Sequence, residues 1–89
     1  MPITNNTKKN RYELEIDGHI AFADYRLDGN IIHIPHVEAP PKLRGTGAAG
    51  KLMQGIMQIA ETENLKIRPI CSYAASWLEK HPEYQHLRA

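Results

Sequence analysis

The chain has 89 residues, eleven Lys and Arg against ten Asp and Glu, and a single cysteine. That length holds one domain, and a formal charge of +1 supplies no broad electrostatic surface for nucleic acid or an anionic membrane. One cysteine excludes an intrachain disulfide framework and points to a reducing, cytoplasmic setting, and no run approaches the ~20 apolar residues of a membrane span.

The opening residues Met1 to Asn10 are polar and lack the apolar core of a secretory signal. Residues 1–9 are expected to be a flexible tail ahead of one domain, 10–89. Tyr12, Leu14 and Ile16 then alternate with Arg11, Glu13, Glu15 and Asp17, the period of a strand with one buried face. Asp17-Gly18 is a tight hairpin signal, because a primed turn needs positive φ. His19 to Leu27 continues as a second strand, with Ala21, Ala23, Tyr25 and Leu27 on one face and Ile20 and Phe22 on the other. After the turn Asp28-Gly29-Asn30, the β-branched run Ile31 to Glu38 reads as a third strand. Its Pro35 cannot donate a ladder hydrogen bond, so an edge, a bulge or a splay is expected there.

Ala39-Pro40-Pro41 ends the strands. From Gly47 to about Asn64 the apolar residues Ala48, Ala49, Leu52, Met53, Ile56, Met57, Ile59 and Ala60 recur at spacings of three and four, which is an amphipathic helix. Gly50 and Gly55 inside it each cost about 1 kcal/mol of helix propensity relative to Ala, which argues for close packing at those points. Leu65 to Cys71 reads as a fourth strand. Ser72 is placed to cap a short last helix, Tyr73 to about Lys80, with Pro82 just beyond its end. The order β-β-β-α-β-α makes an α+β domain.

The stretch Arg44-Gly45-Thr46-Gly47-Ala48-Ala49-Gly50-Lys51-Leu52 fits three glycine-loop patterns. As a dinucleotide fingerprint it lacks an acidic residue at the end of the next strand, Pro69-Ile70-Cys71, to hold a ribose. As a nucleotide P-loop it carries Leu52 where Ser or Thr would ligate magnesium, and no later strand ends in a metal-binding Asp. The third reading is a basic residue and glycines entering a helix directly after a strand. There the backbone can approach a diphosphate, and the helix N-terminus supplies free N–H groups and partial positive charge. A glycine turn that merely starts a helix has the same pattern.

Val37 to Ala49 resembles motif A of the GNAT superfamily of N-acetyltransferases, Q/R-x-x-G-x-G/A, met here by Arg44, Gly47 and Ala49. The match extends to a subfamily of minimal GNAT-like proteins through His36-Val37-Glu38, Pro41-Lys42-Leu43-Arg44-Gly45-Thr46-Gly47, Pro69-Ile70-Cys71 and His81-Pro82-Glu83-Tyr84. It runs over residues ~10 to 85, in order, and linked motifs are far more specific than one glycine loop. The resemblance implies a truncated GNAT fold that binds acetyl-CoA. Val37 and the backbone of Arg44, Gly45, Thr46, Gly47, Ala48 and Ala49 would hold the cofactor. The pyrophosphate would sit on the loop, and the pantetheine arm would lie along the splayed edge of the Ile31–Glu38 strand. Ala39 and Ala48 stand where larger aliphatic residues are usual, which loosens the pocket.

Acetyl transfer to an amine needs a neutral amine, a positioned thioester and a donor for the developing oxyanion. His36 and Glu38, two residues apart on a strand, project to one face about 7 Å apart, and either is able to take the amine's proton; the wider superfamily favours Glu38. Cys71 is a candidate acyl acceptor or a small buried hydrophobe. Tyr73 is a candidate acid for the leaving CoA thiolate, and Tyr84 an anchor for the C-terminal tail. His33 and His36 form H-x-x-H, but residues three apart on a regular strand face opposite ways, so no metal site is expected. The leading expectation is an acetyl-CoA-dependent N-acetyltransferase acting on an amine by direct transfer. The alternatives are a CoA-binding regulatory module with little turnover and a protein-interaction domain. Acceptor and oligomeric state stay open.

Overall fold

The computed structural model describes residues 3–89. Five strands form one sheet in sequence order. They are β1 (Thr4–Asn6), β2 (Arg11–Ile16), β3 (His19–Asp28), β4 (Ile31–Glu38) and β5 (Lys66–Pro69). β1 to β4 pair antiparallel. β5 pairs parallel with β4, which requires a crossover, supplied by helix α1 (Ala48–Glu63). Helix α2 (Ser72–Glu79) and a 3-10 turn over Pro82–Leu87 complete the chain. The α+β order is the one the periodicities predict, with one strand added in front.

That added strand corrects the expected flexible tail of residues 1–9. Thr4, Asn5 and Asn6 pair with Glu13, Tyr12 and Arg11, and a turn through Asn10 at φ 53° returns the chain. Asn6 Nδ2 donates to Glu13 Oε2 at 3.2 Å, and the Tyr25 hydroxyl donates to Asn5 Oδ1 at 2.8 Å. Ile3 lies against α1 at Gly55: a Cβ there would fall 2.2 Å from Ile3 Cγ1. Gly55 is therefore the close approach that its cost in helix propensity foreshadows, and its partner is the N-terminal segment. Met1 and Pro2 lie outside the described residues.

The alternation of β2 and β3 settles which face is buried. Tyr12, Leu14, Ala21 and Ala23 join Ile32, Ile34 and Ile67 from the sheet, Leu52, Met53, Ile56 and Met57 from α1, and Ala74, Trp77 and Leu78 from α2 in one core. Burying each large aliphatic side chain contributes about 1.5–3 kcal/mol. Both turns of the meander use left-handed backbone: Asp17 at φ 51° with Gly18 at 79°, and Gly29 at 60°. Asn64, at φ 57°, ends α1, and its N–H bonds Ala60 O. Ser72 does not cap α2. The N-cap is Cys71, and no side chain bonds the helix start there.

β4 carries the irregularity that Pro35 predicts, in two forms. Its register against β3 shifts between Asp24↔His36 and Arg26↔His33, so Tyr25 alone faces both Ile34 and Pro35. This is a bulge in β4. β4 also parts from β5: pairing ends at Ile34↔Pro69, and the N–H groups of Ile70 and Cys71 both bond Ile34 O. β5 then turns into α2, while β4 runs on through Pro35–Glu38 without a partner on that edge. The bulge overturns one expectation. His36 lies opposite Asp24 and His33 opposite Arg26, and Asp24 and Arg26 share a face of β3. Hence both histidines face the same way, on the side of the sheet away from α1.

Candidate active site

Four structural pieces flank the end of β4 beyond its last pair with β5. The first is the loop after β4. Pro41–Leu43 forms a 3-10 turn, and Thr46 fastens to it through its N–H at 3.2 Å and its hydroxyl at 2.5 Å, both donated to Leu43 O. Gly45 and Gly47 sit at φ 81° and 82°, left-handed values that cost other residues roughly 1–2 kcal/mol. A Cβ at either would meet nothing within 4 Å, so the need for glycine is one of backbone conformation. The outcome is a sharp entry into α1 with Gly47 as its N-cap.

This entry leaves donors exposed. Lys51 N–H is the first to bond back, to Gly47 O at 3.0 Å. Among the described residues the N–H groups of Gly45, Gly47, Ala48, Ala49 and Gly50 donate to no protein acceptor. No acidic side chain occupies the first turn of α1, so the positive end of a 16-residue helix is uncompensated. Arg44 adds a full charge beside it, held by Nε donating to Ala39 O at 3.3 Å. These groups line a cleft of about 290 Å³ with Ala39, Leu43 and Tyr73. The donor set and the side-chain-free approach of Gly45 and Gly47 fit a diphosphate. Two larger hollows of 410 Å³ lie elsewhere along α1 and include neither the loop nor His33 and His36.

The second piece is Tyr73, from the first turn of α2, which lines the cleft together with the loop. Burial, then the neighbouring Cys71, pushes its hydroxyl pKa up, so it stays protonated and able to donate. Cys71 is the third piece, half-buried at the head of α2, at the point where β5 parts from β4. Val37 packs against the core on the α1 side of β4, under the unpaired edge.

The fourth piece lies through the sheet. His36 and Glu38 are together on the open face, as their spacing predicts, with Nε2 3.1 Å from Oε1. Each side chain is 51% exposed. An ionised carboxylate only accepts, so Nε2 is the donor in this pair, and in the neutral imidazole the lone pair is then at Nδ1. The ring of Phe22 lies 6.1 Å from that of His36.

The structure thus joins Arg44, Gly45, Gly47, Ala48 and Ala49 with Tyr73 in one cleft, which Thr46 does not line, and His36 with Glu38 on one face, with Cys71 beside the gap between β4 and β5. Sequence reasoning missed Leu43 and Gly50 as cleft residues. Gly50 was legible as the third glycine of the loop pattern; Leu43 was not, because only the 3-10 turn brings it inward. Tyr84 lies outside the site, stacked 5.9 Å from Trp77, which itself stacks 3.6 Å from His81. Among the described residues no group of three His, Cys, Asp or Glu is placed to hold a metal ion, and no helix is long and apolar enough to cross a membrane.

Residues 11–87 match the family model described as GCN5-related N-acetyltransferase. Among solved structures, the chain is similar to a GCN5-like candidate N-acetyltransferase from Staphylococcus aureus. The identity is 32% and the TM-score 0.76, over 98% of this chain and 86% of that one. No curated protein matches the chain.

Proposed function

The chain belongs to the GCN5-related N-acetyltransferase family, and from that premise we propose that it transfers the acetyl group of acetyl-CoA directly to an amine. The observation that carries this reading is the cleft at the start of α1. Five N–H donors without protein acceptors and an arginine surround a glycine approach, directly beside a strand edge left unpaired by the splay of β4 from β5.

Arg44, Gly45, Gly47, Ala48 and Ala49 hold the pyrophosphate of acetyl-CoA, Gly50 adds a donor, and Thr46, whose N–H and hydroxyl are both given to Leu43 O, holds the loop in shape. Val37 and the free edge of β4 guide the pantetheine arm by strand-like pairing. Bound there, acetyl-CoA supplies an activated thioester near Cys71. On the open face His36 accepts the amine's proton at Nδ1, while Glu38 fixes the ring and stabilises the imidazolium. The Tyr73 hydroxyl donates to the departing thiolate. Cys71 shapes the gap and forms no acyl intermediate.

The test is mass-spectrometric turnover of acetyl-CoA with a panel of amines. His36→Ala and Glu38→Gln are expected to lower kcat by about 100-fold or more with acetyl-CoA affinity unchanged. Full turnover by both variants would remove the pair from the mechanism. A second reading, a CoA-binding module without turnover, is favoured by the half-exposed setting of His36 and Glu38, which no helix covers. Tight acetyl-CoA binding with no product from any amine selects it.

A further inference from the structure

The bulge in β4 composes the open face of the sheet in a way the bare sequence hides. Residues directly opposite on neighbouring strands share a face. Arg26 of β3, His33 of β4 and Arg68 of β5 lie in one such row. The next row along is Arg11, Asp24 and His36, and the one after is Glu13, Phe22 and Glu38. Successive rows are about 7 Å apart, two residues of strand.

The rows differ in charge. Arg26 and Arg68 are exposed, and among the described residues neither forms an ion pair or a side-chain hydrogen bond. Between them His33 Nε2 is buried with no partner, a state that costs about 1–3 kcal/mol. The two guanidiniums of this row are donor forks lacking an acceptor. In the row of Glu13 and Glu38 the balance is reversed. Glu13 is neutralised by Arg11, 2.6 Å away, so Glu38 here and Asp24 in the middle row are the acidic groups left for a cation.

We infer that the acceptor is a zwitterion: a primary amine bearing a carboxylate or phosphate roughly 7 Å away, the anion bound by Arg26 and Arg68 and the amine presented to His36 and Asp24, with Glu38 reaching toward it from the row beyond. The inference deepens the acetyltransferase reading and rests on it for the word acceptor. Guanidinium forks match the planar oxygens of a carboxylate and those of a phosphate alike. The row also orients the ligand, because the opposite alignment would set its anion against Asp24 and toward Glu38.

The test separates binding from turnover. 6-Aminohexanoate, 5-aminopentyl phosphate and hexylamine are titrated into the full chain with amide chemical shifts as the readout, and the titrations are repeated with Arg26→Gln/Arg68→Gln. Both substitutions fall on exposed side chains, and circular dichroism verifies the fold. At least one anionic amine is expected to bind ten times more tightly than hexylamine, shifting the amides of residues 26, 33 and 68. That preference should fall to within twofold in the double variant. The tighter of the two anions identifies the group. Equal affinity for all three ligands, or a preference that survives the double variant, overturns the inference. Failure to acetylate a ligand that binds in this way counts against the acetyltransferase reading and leaves the anion row standing.

Discussion

Gly55→Ala measures whether the N-terminal segment is docked on α1. Replacing glycine by alanine inside a helix ordinarily stabilises by about 1 kcal/mol. Here the new Cβ would fall 2.2 Å from Ile3 Cγ1 and 2.8 Å from Cδ1, against ~3.5–4.0 Å for relaxed carbon contacts. Ile3 must then withdraw by more than 1 Å. Full burial of an isoleucine is worth about 1.5–3 kcal/mol, and Ile3 is only partly buried, so losing its contact costs roughly 1–1.5 kcal/mol. The two effects nearly cancel, and Gly55→Ala alone should change stability little. In an Ile3→Ala background the obstruction is gone, and the same substitution should stabilise by its full ~1 kcal/mol, a Tm rise of about 4–8 °C. Urea unfolding followed by fluorescence of Trp77, the single tryptophan, reads all four corners of the cycle. The expected coupling is about 1 kcal/mol. Equal stabilisation by Gly55→Ala in both backgrounds would refute the docking of Ile3.

Two further predictions concern pH. The Tyr12 hydroxyl is pushed up to about 12, first by burial and then by Tyr25 and Glu63 nearby. A folded pKa above the unfolded value of ~10 adds stability that is complete below that pH and fades as pH rises toward 12. Between pH 9 and 11 the wild type should therefore lose more stability than Tyr12→Phe in parallel urea titrations; identical losses would contradict the assignment. Glu13 behaves in the opposite sense. The Arg11 hydrogen bond, helped by Asn6, holds its carboxyl below the usual range. Its contribution is present above the ordinary Glu value of ~4.3 and lost as pH falls through the lower folded value. Glu13→Gln should flatten the acid limb of the stability curve, and an unaltered limb would show that the pair stabilises nothing.

Strand periodicity made β2, β3 and the start of β4 legible, because one buried face imposes a period of two. Helical spacing did the same for α1, and the pairing of His36 with Glu38 followed from their separation alone. β1 was not legible: Thr4, Asn5 and Asn6 have no apolar alternation, and the strand is held by backbone pairing and by Ile3, whose seat at Gly55 lies 52 residues away. Pro35 announced a disturbance without saying which kind. A splay by itself would have left His33 and His36 on opposite faces. The added bulge brought them onto one face, and no local propensity encodes that choice, because it depends on how Tyr25 meets two residues across the ladder. The cleft was legible in its glycines, whose left-handed backbone the loop requires. Tyr73 was legible as a site residue from its place just after Cys71, and the turn from β5 into α2 is what brings it to the cleft.

The central claim is that the loop at the start of α1 is the pyrophosphate site of acetyl-CoA. Titration of the full chain with acetyl-CoA, followed by the amide resonances, tests it most directly. The account predicts shifts concentrated at Gly45 and at residues 47–50, and an affinity at least tenfold weaker in Arg44→Glu, a substitution at an exposed side chain. No shifts at millimolar acetyl-CoA, or shifts away from this loop that Arg44→Glu leaves unchanged, would contradict it.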